Sequence, residues 1–491
     1  MTDLFKKVNI FPWIILLMMF LLMLGSVWND SATMDELAHL PAGFGYVKEL
    51  DFRLNPEHPP LLKVLSALSG NIFVHPYFPT NTAYWQNDVN GQWAQGAVFL
   101  YESGNDADKI IFWSRLPMIL LTIFFAWLLY HYVRKRFSNA AAVLALLLFA
   151  FSPTFLTHGK YVTTDVGAAF GFFIGIIFFI KFLEAPTRSN ILTAGLIFGI
   201  AQLIKFSLVL LIPLYVMLLL VWVWTKPNLH LHERIRVLWK MGLKTILIGI
   251  IGFTLVWTVY GVFTWNYPQS RQLGDANFLL SSYGFRPVVD LNLMLIKNKF
   301  TRPLGEYFLG LLMVNQRAAG GNTAFFLGEV SAAGSRLYFP LLYMVKETLA
   351  LHILTIIAIW FGVWKIFKSS ELNSGREKLS SRIRRWIQNH FVEFTALLFI
   401  AFYWGISIKS PLNIGVRHVL PTFPFIYLLV ARQINEWLRS HEISDPQTWF
   451  AWLKNIYQIF IKALGRYFVV GVIMLWLIIS TVSAYPHFMS Y

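Results

Sequence analysis

The chain has 491 residues and not one cysteine. That absence removes disulfide staples, thiolate nucleophiles and cysteine-based zinc sites, and it permits an oxidising compartment without requiring one. Charge is scarce as well, at 13% Asp, Glu, Lys and Arg, where an average globular protein has about 25%. So little charge excludes a water-soluble fold, and the hydrophobicity excludes disorder. Hydrophobic residues make up 56%, including 44 Phe, 19 Trp and 20 Tyr, which suits lipid-facing helices with aromatic residues at the interfaces. This is an integral membrane protein. The net charge of +16 is then a question of which membrane face holds it, and no nucleic-acid partner is expected.

A helix needs about 20 mostly apolar residues to cross the hydrocarbon core. The first run, Val8 to Trp28, follows Lys6 and Lys7 and reads as an uncleaved anchor with the N-terminus inside. Further spans are expected near 110–133, 138–156, 166–183, 190–205, 207–225, 245–265, 341–367, 391–408, 419–431 and 467–485. The expected class is an all-α polytopic membrane protein with about eleven transmembrane helices, not a barrel of alternating strands. Eleven spans starting inside put 134–136, 226–244, 368–390 and 432–466 on the inner face, with 19 Lys and Arg against six Asp and Glu. This is the positive-inside bias, and the polar, basic-ended connector within 369–390 serves as an orientation signal beside anionic lipid.

Two large outside loops remain. Residues 30–109 carry ten acidic and four basic residues, whereas 266–340 carry seven basic and four acidic. Loops of this length are usually functional, and amphipathic stretches such as Leu61–Ile72 are expected to lie as interfacial helices. Neither a sequence repeat nor a pair of Gly/Pro-broken spans, the mark of many transporters, is present.

Five polar constellations fall on the outside face. Asp30 and Asp35-Glu36-Leu37-Ala38-His39 follow the first span, where Thr33 can cap a helix whose dipole the acids complement. In Glu57-His58-Pro59-Pro60-Leu61-Leu62-Lys63, two prolines after His58 make a rigid corner. His158 and Thr163-Thr164-Asp165 form the link between the third and fourth spans, and Lys346-Glu347 begins the eighth. Asn413-Ile414-Gly415-Val416-Arg417-His418-Val419-Leu420-Pro421 precedes the tenth, with an arginine suited to bidentate phosphate binding.

Taken in order, these motifs, with Ala484-Tyr485-Pro486-His487 at the end, resemble bacterial relatives of the dolichyl-phosphate-mannose protein O-mannosyltransferases, glycosyltransferase family 39 of the GT-C class. The resemblance covers essentially the whole chain. It implies one GT-C transmembrane domain in a bacterial inner (plasma) membrane, with the N-terminus cytoplasmic and the active site on the periplasmic or extracellular face. It implies inverting transfer of a sugar, mannose by the family's name, from a polyprenyl-phosphate donor to an acceptor hydroxyl on protein Ser/Thr, a lipid or a glycan. An attacking hydroxyl must lose its proton, so a positioned carboxylate is needed as general base; similarity to the family's Asp-Glu motif gives that role to Asp35. Glu36 and Asp165 are expected to orient the acceptor or assist the base. The lipid phosphate gains negative charge as it leaves, and fixed cations stabilise it; Arg417, His418, Lys346 and Lys63 are the candidates, with His58 shaping the site.

Two departures from the family pattern stand out. The late Lys-Thr-Pro is replaced by Lys346-Glu347-Thr348, and the chain ends at Tyr491 where such relatives often continue into a soluble domain, so no separate C-terminal domain is expected. No cofactor is required, because lysine and arginine can supply the charge; a divalent ion on Asp35, Glu36, His39 and His58 is the alternative. The rival functions are a transporter or flippase of polyprenyl-linked sugars, which would place its charges near the bilayer midplane, and a non-catalytic membrane scaffold.

Overall fold

The computed structural model describes residues 10–28, 30–368, 379–440 and 464–491, with 450, 453, 456 and 457. The chain is an all-α polytopic membrane protein. Each of the eleven expected spans coincides with helix. Seven stretches are long and apolar enough to cross a membrane: α6 (Ala107–Arg136), α9 (Asp165–Glu184), 206–225, which ends in α11 (Leu211–Thr225), α12 (Leu231–Phe263), α17 (Leu349–Lys368), α19 (Phe391–Lys409) and α21 (Leu464–Val482). The other four expected spans fall on shorter helices, α1 (Phe11–Val27), α7 (Asn139–Ala150), α10 (Arg188–Gln202) and α20 (Phe423–Arg439). Of the connector expected within 369–390, residues 369–378 lie outside the described residues, and its basic end forms α18 (Leu379–Asn389).

Two boundaries differ from the sequence expectation. The run 341–367 is not one span but two helices, α16 (Tyr338–Lys346) and α17, broken at Glu347-Thr348. Glu347 is extended at the break, and the Thr348 hydroxyl accepts from Leu351 N at 3.3 Å. A buried carboxylate that needs donors from outside its own helix, followed by a threonine cap, stops one helix and starts the next. The basic stretch before 245 is part of α12, which runs for 33 residues.

Small residues set a close contact between α10 and α12. Gly195 and Gly199 on α10 face Gly252 on α12, and a Cβ at Gly199 would lie 2.6 Å from the Gly252 carbonyl. This is the close backbone approach typical of helix pairs in lipid.

The first long loop folds into α2 (Met34–Glu49), α3 (Leu61–Val74), α4 (Ala83–Gln86) and α5 (Gln92–Ala97). On α3, Leu65, Leu68, Ile72 and Phe73 are exposed while Leu62, Lys63, Ser66 and Ala67 are buried, the two-faced pattern expected of an interfacial helix. The second loop holds α13 (Gln269–Leu279), α14 (Arg286–Lys297) and α15 (Arg302–Gly320) around their own small core of Ala276, Leu280, Val289, Ile296, Leu309 and Leu312. A two-stranded hairpin, β1 (Ala324–Phe326) and β2 (Glu329–Ser331), then leads to α16.

Candidate active site

Thr33 and Glu36 start α2 with a reciprocal capping box, in which Thr33 N donates to Glu36 Oε2 at 2.8 Å. The next anchor is Arg115 of α6. Its Nε and Nη2 donate to the two Glu36 oxygens at 2.8 and 2.7 Å, and Nη1 and Nη2 donate to the carbonyls of Asp30 and Ser31. Val162 N donates to Glu36 Oε1 at 3.0 Å. Both side chains of the Arg115–Glu36 pair have no solvent exposure. The lone pairs of Glu36 are therefore spent on holding α2 against α6 and the 159–164 link, and its neighbour Asp35 is turned the other way, 34% exposed.

Asp35 meets Arg417 in a direct ion pair. Arg417 lies in a short 3-10 turn, Val416–His418, after Gly415, whose φ of +96° is open to glycine without strain. The same guanidinium is 3.6 Å from Asp165, which opens α9, and Lys205 Nζ donates to the other Asp165 oxygen at 2.7 Å. The carboxylates of Asp165 and Asp35 raise the Arg417 pKa despite its burial. Two carboxylates and two cations thus alternate across the ends of α2, α9, α10 and the 416–418 turn.

Beside this network is a cavity of about 400 Å³ lined by Thr154, Thr157, His158, Tyr338, Lys346 and Arg417, among others, and partly walled by Phe488, Met489 and Tyr491. Lys346 Nζ donates to the Tyr491 carbonyl at 2.9 Å. Its neighbour Glu347 accepts from Thr154 Oγ1 at 2.6 Å and Ser152 Oγ at 3.3 Å. This ties α16 to α8 (Pro153–His158), which carries His158. Burial holds His158 down at about 4, so its imidazole is neutral at neutral pH. The same is true of His418, at about 4, whose ring packs on Phe339 with centroids 5.2 Å apart.

The structure therefore brings Asp35, Asp165, Arg417, His418 and Lys346 into one region. His58 borders it, edge-on to His39 at 4.8 Å, and burial lowers its pKa well below the ordinary value. Lys63 is not brought there. Its ammonium has no solvent exposure and donates to Tyr46 Oη, the Asn55 side chain and the carbonyls of Asn55 and His58 at 2.7–2.9 Å. It fixes the His-Pro-Pro corner from beneath and is closed to solvent. Of the four candidate metal ligands, Glu36 is held by Arg115 and His39 Nδ1 by the Val162 carbonyl at 2.7 Å. Among the described residues no group of three His, Asp or Glu side chains is arranged to hold a metal ion.

Lys205 and Arg115 were not singled out from the sequence, and His158 was named only as part of its link, without a role. Lys205 carried a usable signal, as a lone cation between two apolar runs whose position under the eleven-span topology is at the outer surface. Arg115 carried none, because a single arginine in a span has no visible partner until Glu36, 79 positions away, folds against it.

A family model described as dolichyl-phosphate-mannose-protein mannosyltransferase matches residues 13–270, a stretch that contains Asp35, Glu36, Arg115, Asp165 and Lys205. The chain belongs to this family. Among solved structures, this mannosyltransferase-family chain is similar to ArnT from Cupriavidus metallidurans bound to undecaprenyl phosphate, with a TM-score of 0.50 and 13% identity, covering 98% of this chain and 75% of that one. It is also similar to the oligosaccharyltransferase of Archaeoglobus fulgidus in the apo form, with a TM-score of 0.49 and 12% identity, and spans 56% of that chain's length. At such identity the likeness to ArnT speaks for the fold, a GT-C arrangement. No curated protein matches the chain.

Proposed function

We propose that this family member is an inverting glycosyltransferase that moves a sugar, mannose by its family, from a polyprenyl-phosphate donor to an acceptor hydroxyl, with protein Ser/Thr as the leading acceptor class. The observation that carries the reading is the Asp35–Arg417 pair at the edge of a cavity that Lys346 also lines. A general base and cations for a leaving phosphate are what a single displacement needs.

The acceptor oxygen attacks the anomeric carbon as its proton passes to Asp35. The bond from that carbon to the phosphate oxygen breaks, and its electron pair stays on the lipid phosphate. Arg417 and Lys346 hold the phosphate and offset its growing charge. Before the donor arrives, Arg417 is paired with Asp35, which occupies that carboxylate. When the phosphate draws the guanidinium away, the Asp35 oxygens are free to meet the acceptor hydroxyl, so donor binding prepares the acceptor step. Asp165 and Lys205 hold Arg417 at its position, His418 and His58 shape the walls, and Glu36 fixes α2. The ArnT structure with undecaprenyl phosphate supports a lipid-linked donor by analogy. The charge bias of the loops supports a cytoplasmic N-terminus and a site on the periplasmic or extracellular face of a bacterial inner membrane.

The test is incubation of purified protein with a panel of polyprenyl-phosphate sugars and membrane extracts, with products analysed by mass spectrometry. A glycosylated product formed by wild type and absent with Asp35→Asn is expected. Transbilayer movement of labelled donor without any glycosyl product would refute the reading and favour a flippase.

A further inference from the structure

On the membrane face opposite Asp35 a second polar cavity is built from the far ends of three helices. The 30 residues of α6 rise roughly 45 Å, from Asp106 on the Asp35 side to Arg136. Likewise α20 starts beside Arg417 and ends at Arg439, and α17 starts beside Glu347 and carries Lys365 near its end. These ends enclose about 690 Å³, lined by Arg136, Phe137 and Ser138, by Phe361, Trp364 and Lys365, and by Arg432, Asn435, Glu436 and Arg439.

Four lining cations face one lining carboxylate. Glu436 accepts from Lys365 at 2.6 Å and from Arg432 at 3.2 Å; Arg432 also pairs with Glu393, and Arg136 with Glu184 at 3.0 Å. Three carboxylates thus answer four cations, and a fifth, Arg466, donates to Ser440 on the rim at 2.9 Å. Among the described residues Arg439 has no ion-pair partner. A second observation is independent of charge. Asn435 is 7% exposed, lines the cavity, and has no side-chain hydrogen-bond partner among the described residues. Its amide atoms are open to the cavity, where they are available to hydrogen-bond a ligand. Around the mouth, Ile359, Trp360, Val363 and Trp364 of α17 are exposed apolar surface.

The geometry points to a binding site for the phosphodiester head group of an anionic phospholipid, its acyl chains lying along the exposed face of α17. Basic pockets between transmembrane helices suit such head groups. The excess of cations favours an anionic over a zwitterionic lipid, and the lipid-level aromatic rim favours a lipid over a free anion. This inference does not depend on the glycosyl-transfer reading.

The experiment uses the full chain in nanodiscs and takes the difference in tryptophan emission between wild type and Trp364→Phe as the Trp364 signal. Brominated phosphatidylglycerol is expected to quench that signal more than brominated phosphatidylcholine at equal mole fraction. Arg439→Gln should weaken the preference about fivefold, the effect of one surface cation on an anionic lipid. Asn435→Ala, which leaves every charge in place, should weaken it too. Equal quenching by the two lipids would overturn the proposal. Relief of phosphatidylglycerol quenching by inorganic phosphate alone would replace the lipid with a free anion.

Discussion

Replacing Glu36 with glutamine separates the two adjacent acids of the Asp-Glu motif by role. The side chain keeps its size and one acceptor oxygen, but in either orientation the amide NH2 would face one guanidinium nitrogen of Arg115 together with the donor at Thr33 or Val162. Arg115 would then be a buried cation with only Asp30 left as an anion, at 3.6 Å. Breaking a buried ion pair from one side costs about 3–5 kcal/mol, a shift of roughly two to four orders of magnitude in the folding equilibrium. Adding Arg115→Met should recover part of the loss, because no charge is left stranded. Recovery stays incomplete, since the Asp30 and Ser31 carbonyls also lose their donors. The assay is thermal unfolding in detergent followed by size-exclusion fluorescence, with transfer activity measured on the surviving fraction. If Glu36→Gln were as stable as wild type, or if Arg115→Met worsened it further, the assignment of this pair to scaffolding would be refuted.

Asp35→Asn should lower the transfer rate by about 10²–10⁴-fold, the usual share of a general base, while leaving thermal stability near wild type and donor binding intact or tighter, because Arg417 loses a competing anion; a variant that turns over normally would dismiss Asp35 as the base. Arg417→Ala should weaken donor-lipid binding, measured with a labelled polyprenyl phosphate, and unchanged affinity would remove its phosphate role. In α15, burial pushes Glu306 up to about 8 although Gln272 donates to it at 2.7 Å. The folded state therefore holds a proton that the unfolded chain releases at its ordinary, lower value, so stability falls as pH rises from that value through about 8. Glu306→Gln should flatten this slope in unfolding midpoints measured from pH 5 to 9, and an unchanged slope would count against the buried acid as its source. Lys205→Met should reduce donor affinity without abolishing folding, because Arg417 would lose the competitor that shares Asp165 with it; unaltered affinity would reduce Lys205 to a structural contact.

The membrane-spanning character, the positions of the helices and the gathering of polar motifs at one end were legible in the chain, because apolar length and charge placement are local properties that lipid reads directly. Asp35, Asp165, Lys346, Arg417 and His418 belong to those motifs, and the fold brings them into one region. The break at Glu347 was hidden because the partners that satisfy its carboxylate, Thr154 and Ser152, come from a distant helix.

Apolar run length thus determined that this protein folds in lipid, and the order of the motifs along the chain gathered the charged ones at one end of the spans. Only the tertiary structure decided how neighbouring charges divide their work. Glu36 and Lys63 look as chemical in the sequence as Asp35 and Arg417, yet both are fully buried and bonded. A charged group can meet a ligand only if folding has not already used up its hydrogen bonds, and those partners range from the adjoining corner, as Asn55 and His58 are for Lys63, to a helix 79 positions away, as Arg115 is for Glu36.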